Sequence, residues 1–181
     1  MVAAASRPAI VNPLSGERIT ILQAGGPGDV LVWELLLAPG GRVPSGHAHP
    51  GQEETFTVRE GCMRFRVGRR RLTAGPGDTV VVAPGTSHHF ANPGRVPARV
   101  EVRTSPALAM ADLLETAAAL AREQRAAGRA LPRLADVALF MRDFEAEVAS
   151  PIAPGLMRRG ARVIAAVAEW RRPGIRNHVT P

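Results

Sequence analysis

The most informative stretch of the sequence is residues 41–61, GRVPSGHAHPGQEETFTVREG, whose pattern indicates both the fold and a metal site. Two histidines, His47 and His49, stand two positions apart in this stretch, and alternate residues of a β-strand face the same side. Their imidazoles can therefore point into one barrel interior and share a metal. Past the Pro50-Gly51 turn, Glu54 opens the next predicted strand, so an antiparallel return brings its carboxylate beside the two imidazoles.

A further histidine extends this group from a distant part of the chain. His88 follows Ala83-Pro84-Gly85, a tight turn that places it at the start of a later strand. Four of the five histidines fall between residues 47 and 89. The clustering indicates a metal site that needs closure of the barrel to be complete.

These residues resemble the two sequence motifs of the cupin superfamily. The first motif has a glycine, five residues, HxH, three or four residues, Glu, six residues and a glycine, and it is matched by Gly41, His47, His49, Glu54 and Gly61. The second motif is matched by Gly77, Ala83-Pro84-Gly85, His88 and Asn92. Ala83 stands where the family usually has proline, which affects the stiffness of the turn rather than coordination. The resemblance covers about residues 30–103, with weaker similarity in residues 12–20.

The resemblance implies a metal inside a jelly-roll barrel, near its mouth. Its ligands are then His47, His49, Glu54 and His88. Three neutral imidazoles and one carboxylate suit Fe, Mn, Ni, Co or Zn, and leave one or two positions for water, substrate or dioxygen. We expect one divalent transition metal, with Fe(II) favoured over Mn(II), Ni(II), Co(II) and Zn(II). The single cysteine, Cys62, excludes a thiolate zinc site and an intrachain disulfide.

An apolar pocket is predicted beside the metal. Phe56 and Phe90 lie two residues after Glu54 and His88, so they should face the same interior as the ligands. The predicted lining residues are Phe56, Met63, Phe65 and Phe90. Core packing alone explains these four residues equally well. By the same alternation, Glu53 and His89 should face away from the metal.

The composition changes near residue 105. Residues 1–104 contain short apolar runs between glycine and proline clusters, which is the spacing of an all-β sandwich or barrel. The resemblance to cupins implies that this mainly β part is a double-stranded β-helix of six to eight strands, preceded by an N-terminal arm. Residues 105–181 are rich in alanine and predict about three α-helices that pack on the barrel or on a dimer partner.

The helix limits follow from local signals. Ser105 and Pro106 predict an N-cap followed by the first helical position, and Gly128 predicts the end of that helix. A second helix is predicted over about residues 133–149, with Pro151 beyond it, and a third over about residues 156–171. Each carries an apolar stripe for packing.

The composition and charge of the chain limit the kinds of binding partner that we expect. The formal net charge of the 181 residues is +7, and all 23 basic residues are arginine, spread over both halves. Arg64, Arg66 and the run 69–71 cluster locally and predict a solvated hairpin. We therefore expect no nucleic-acid partner. Without a membrane span or a leader in the sequence, we expect a cytoplasmic protein. Because the resemblance is to cupins, which are often homodimers, we also expect a homodimer.

The sequence leaves three functions open. The first is an oxygenase acting on an aromatic, enol or polyketide-like molecule that chelates the metal through oxygen, with the metal centre itself as the catalyst. The second is redox-neutral isomerase, cyclase or lyase chemistry with the metal as a Lewis acid. The third is a non-catalytic module that binds or senses a small molecule.

Overall fold

A computed structural model describes residues 8–43 and 46–150, and within them the strands come first and the helices follow. The strands are β1 (Ile10–Asn12), β2 (Glu17–Gln23), β3 (Leu31–Leu37), β4 (Glu53–Glu60), β5 (Met63–Val67), β6 (Arg70–Ala74), β7 (Thr79–Val82), β8 (His88–Ala91) and β9 (Ala98–Ser105). The helices are α1 (Met110–Ala126) and α2 (Leu134–Asp143).

The strands form two antiparallel sheets. The larger has six strands in the order β1-β2-β3-β9-β4-β7, and the smaller has three in the order β6-β5-β8. Strand β9 lies between β3 and β4 in the larger sheet. The chain crosses between the sheets from β4 to β5, from β6 to β7, from β7 to β8 and from β8 to β9, as it does in a jelly roll. The predicted mainly β fold class is confirmed.

The core lies between the two sheets because side chains alternate along each strand. On β9, Ala98, Val100, Val102 and Thr104 are all buried, and the residues between them are more exposed. On β4 the buried positions are Glu54, Phe56 and Val58. Two polar residues, Glu54 and Thr104, thus occupy inward positions at one end of an otherwise apolar core. They are direct partners in the β4–β9 register.

The arginine-rich hairpin is β5 and β6 with their connecting turn. The side chains predicted to be solvated there are Arg64, Arg66, Arg69, Arg70 and Arg71, and all five are exposed. Met63 and Phe65 face the core instead, as period-two alternation predicts.

The predicted start of the first helix is wrong. Ser105 is the last residue of β9 rather than an N-cap, and a cis peptide bond joins it to Pro106. Residues 107 and 108 donate their N–H groups to the carbonyls of Asp29 and Pro27, so this stretch is held by the loop before β3. Helix α1 therefore begins only at Met110, and it ends at Ala126, shortly before Gly128 at a φ of +61°.

The second helix is shorter than predicted. It ends at Asp143, and residues 144–147 form turns before Ala149 pairs with Ala48 in an antiparallel bridge. Its apolar stripe is also unevenly buried, since Leu134 is 69% exposed and Phe144 only 9%. The third predicted helix lies outside the described residues. No helix in the described ranges is both long and apolar enough to span a membrane.

Candidate metal centre

The two-histidine segment is held by main-chain hydrogen bonds on both sides. His47 and His88 form an antiparallel pair in which each N–H donates to the other's carbonyl, at 3.1 and 2.8 Å. On the other side Ala48 exchanges hydrogen bonds with Ala149. The carbonyl of His49 accepts from the N–H of Gly85, in the predicted turn before β8, at 2.7 Å. The segment containing His47 and His49 and the strand containing His88 therefore have a fixed relative position.

The three predicted histidine ligands come together. One nitrogen from each imidazole can be chosen so that all three lie within 4.8 Å of one another. The ring of His47 lies 4.3 Å from that of His88 and 5.1 Å from that of His49, centroid to centroid. His49 and His88 are buried and His47 is partly exposed, so the group lies at the edge of the core with one side toward solvent.

The predicted fourth ligand, Glu54, lies against two of these rings. Its Oε2 is 3.2 Å from Nε2 of His49 and 3.1 Å from Nε2 of His88, and its side chain is almost fully buried. The other oxygen, Oε1, accepts a hydrogen bond from the Thr104 hydroxyl at 3.3 Å. That hydroxyl in turn accepts from the indole N–H of Trp33 at 3.2 Å. This chain of bonds orients the Glu54 carboxylate toward the imidazoles.

The histidine nitrogens that face Glu54 have the character of metal ligands. The Nδ1 atoms of His49 and His88 face the carbonyls of Glu147 and Thr86, at 2.5 and 3.3 Å. A carbonyl can only accept, so Nδ1 carries a proton on both rings, and in the neutral form of each ring Nε2 carries a lone pair. Both Nε2 atoms are buried and make no hydrogen bond with good geometry. Two lone pairs and a carboxylate oxygen at one point fit a divalent cation.

The electrostatics of the site favour a charged Glu54. Burial raises the pKa of a carboxyl group, but the neighbouring His49 and His88 outweigh it and hold the pKa of Glu54 well below its ordinary value. Burial alone would lower the pKa of His49, yet the Glu54 carboxylate and the Glu147 carbonyl raise it. A buried anion of this kind needs a cation beside it, which is a protonated imidazole or a metal ion.

The four predicted pocket residues all lie in the core. They are Phe56, Met63, Phe65 and Phe90, with exposures of 1%, 0%, 1% and 4%. The rings of Phe56 and Phe90 lie 5.5 Å apart, and Phe56 lies 6.1 Å from the ring of His88. The aromatic cluster therefore borders the histidine group, and the role of these residues as a substrate pocket stays a prediction.

Neighbours of the ligands face away from the site, as alternation predicts. Glu53 is exposed, and His89 is half-buried opposite Arg66 on the outer face of the small sheet. Asn92 is a turn residue, because its amide donates to the carbonyls of Leu37 and Val96.

Two contributors to the site were missed at the level of sequence. Thr104 could have been found, because it continues the inward alternation of β9. Glu147 could not, since its role depends on where the chain returns after α2.

Comparison with known proteins agrees with this geometry. Residues 33–103 match the family model of the cupin domain. No curated protein sequence matches the chain.

Several solved structures are similar to part of the chain. The protein TT1209 from Thermus thermophilus is 25% identical with a TM-score of 0.47, covering 52% of this chain and 87% of that one. A cupin-superfamily sugar phosphate isomerase from Silicibacter pomeroyi is 26% identical with a TM-score of 0.48, covering 57% and 71%. An RmlC-like cupin from Shewanella frigidimarina is 18% identical with a TM-score of 0.49, covering 59% and 88%.

The family match spans strands β3 to β9, which include or flank all four predicted ligands. Both motifs fall inside it, and the barrel has the two antiparallel sheets that the motifs imply. Residues 33–103 of the chain are therefore a cupin domain.

Proposed function

We propose that His47, His49, Glu54 and His88 bind one divalent transition metal, with Fe(II) favoured, and that the chain is a metal-dependent cupin oxygenase. The observation that supports this most directly is the pair of buried, unpartnered Nε2 atoms of His49 and His88, both aimed at one carboxylate oxygen of Glu54. A bound metal would replace the missing hydrogen-bond partners of both rings.

The described residues offer few groups for acid–base catalysis near the site. Among residues 8–43 and 46–150, the buried ionisable side chains are His49, Glu54, His88 and Glu147. The first three are assigned to the metal, and the Glu147 carboxylate already accepts the N–H of Ala109. This favours a reaction in which the metal, when bound, supplies Lewis acidity and one-electron chemistry with dioxygen.

The chain's own residues would bind and orient the substrate. The apolar cluster beside His88, formed by Phe56 and its neighbours, would keep water from that side of the metal and give the site an apolar border. The partly exposed edge at His47 is the side from which a polar group of the substrate would enter. Together these features favour an aromatic, enol or polyketide-like molecule that presents oxygen atoms to the metal.

Elemental analysis of protein purified without a metal-binding tag or added metal tests the ligand set. We expect near-stoichiometric metal in the wild type and its loss in His88→Ala and Glu54→Ala. The matched controls are His89→Ala and Glu53→Ala, which change the same residue types one position away on the outward face. Metal retained in Glu54→Ala and His88→Ala, or lost equally in the controls, would refute the assignment.

Oxygen uptake tests the reaction class. Fe(II)-reconstituted protein is offered a panel of catechols and enolisable diketones under air and under argon, with turnover followed by mass spectrometry. We expect turnover only with oxygen, at a stoichiometric consumption of dioxygen. An equal rate under argon would refute the oxygenase proposal and favour redox-neutral metal catalysis. Saturable binding without turnover would favour a ligand-binding module.

A further inference from the structure

The chain that follows α2 returns to the metal-binding end of the barrel. Ala149 pairs with Ala48 through two main-chain hydrogen bonds, of 2.8 and 3.0 Å. Ala48 lies between His47 and His49, and its other neighbouring strand is β8 with His88. The segment that bears two ligands thus has barrel on one side and the C-terminal extension on the other. This extension lies beyond the residues that match the cupin domain.

Residue 147 contacts one ligand directly. The main-chain carbonyl of Glu147 accepts the Nδ1–H of His49 at 2.5 Å, and both residues are about 95% buried. This bond selects the tautomer of His49 in which Nε2 has its lone pair toward Glu54. Metal-bound histidines commonly depend on such a partner for their orientation, and its loss lowers metal affinity by roughly 10- to 100-fold.

The side chain of the same residue anchors the segment. Its Oε1 accepts the N–H of Ala109, the residue before α1, at 3.0 Å. Amide groups at a helix N-terminus lack partners within the helix and carry partial positive charge, so a carboxylate binds there well. Phe144 is buried in the core cluster and Val148 packs against it, which fixes the segment on either side of Glu147.

We propose that Glu147 is a positioning residue of the metal centre and that the C-terminal extension completes that centre. The Glu147 carboxylate holds residues 144–149 at the start of α1, and this places the Glu147 carbonyl on His49. The inference rests on the proposed metal site. Because binding couplings are reciprocal, an extension that improves metal binding is itself held in place when metal binds.

Metal affinity in full-length variants tests the positioning role. Zinc affinity is measured by competition with a chromophoric chelator for the wild type, Glu147→Ala, Glu147→Gln and Glu115→Ala. We expect Glu147→Ala to bind about tenfold more weakly. The amide oxygen of Glu147→Gln can still accept from Ala109, so its affinity should stay within a factor of about two of the wild type. Glu115 is an exposed α1 residue, and its alanine variant is the matched control.

The outcomes separate the two proposals. A wild type that does not bind zinc refutes the metal centre and with it the role of Glu147. A wild type that binds, with Glu147→Ala binding equally well or Glu147→Gln losing as much as Glu147→Ala, refutes the positioning role alone. Circular dichroism of the metal-free variants checks that a weaker affinity does not come from unfolding.

Hydrogen exchange in the wild type tests the coupling between metal binding and residues 144–150 without any substitution. It therefore still tests the proposal if Glu147→Ala does not fold. We expect zinc to slow amide exchange in residues 144–150 at least severalfold, with residues 119–126 of α1 unchanged. Equal exchange of residues 144–150 with and without bound zinc would overturn the inference.

Discussion

At the scale of single residues, the Thr104 hydroxyl supports the carboxylate of Glu54. Thr104 is fully buried, donates to that carboxylate and accepts from the indole N–H of Trp33, so it satisfies two other buried polar groups at once. It occupies the last inward position of β9, directly opposite Glu54 in the register. A valine at this position would fill the same volume, so the contribution of the Thr104 hydroxyl is its hydrogen bonds and not its packing.

Thr104→Val should lower both stability and metal affinity. It leaves the Trp33 N–H buried without an acceptor, at a cost of about 1–3 kcal/mol in the free energy of unfolding. It also removes the donor that orients Glu54, so zinc affinity should fall about tenfold. Urea denaturation and chelator competition measure the two effects. Thr57→Val is the control, because the Thr57 hydroxyl lies on β4 and bonds Thr79 at the exposed surface. Equal losses in both variants would contradict this account.

Gly61→Ala should destabilise the barrel more than Gly68→Ala. Both glycines have positive φ, of +79° and +56°, where an L-residue costs about 1–2 kcal/mol. A Cβ at Gly61 would also lie 2.8 Å from the Ala98 Cα, whereas a Cβ at Gly68 meets nothing within 4 Å. The backbone of β9 must therefore move in the first variant only. Urea denaturation compares them, and an equal loss would show that Gly61 is needed only for its φ.

At the scale of elements, the sequence predicts what depends on local periodicity. Two of the short apolar runs in residues 1–104, at 63–67 and 79–82, coincide with β5 and β7, because alternation and glycine-rich turns act over a few residues. The ligand set is what the resemblance to the two cupin motifs implies, and it stays a prediction. The predicted start of α1 and the predicted end of α2 were wrong, because both limits depend on distant main-chain partners. The loop at Asp29 binds the residues before α1, and Ala48 pairs with the chain after α2. Residue spacing carries no signal of such partners.

Helix α2 is anchored by its C-terminal end. Phe144→Ala should cost about 3–5 kcal/mol, because it empties a buried ring position. Leu134→Ala, at the exposed first position of α2, should change the free energy of unfolding by less than about 0.5 kcal/mol. Thermal and urea unfolding measure both. A large loss in Leu134→Ala would mean that residues 151–181 or a second subunit cover this face in solution.

At the scale of the whole molecule, the barrel leaves apolar side chains exposed to solvent that a second subunit can cover. The exposed leucines of the barrel include Leu14 and Leu22, at 52% and 55%, before β2 and within it. The predicted homodimer would bury apolar surface of this kind. Multi-angle light scattering at micromolar concentration should therefore give twice the mass of one chain, 19.2 kDa. A monomeric mass across that range would contradict the prediction.

Removal of the metal should lower the thermal stability of the entire fold. The ligands come from the segment at residues 47–49 and from β4 and β8, so a metal would join both sheets. Ligand present at 100 times its Kd stabilises the native state by about 2.7 kcal/mol. For a chain of this length that corresponds to a rise in Tm of about 5–11 °C.

Differential scanning calorimetry of chelator-treated protein, with and without zinc, measures this shift. His89→Ala should keep the shift and His88→Ala should lose it, although the two side chains are adjacent in sequence. A shift of the same size in His88→Ala would mean that zinc binds elsewhere on the chain, because this variant removes one of the four proposed ligands.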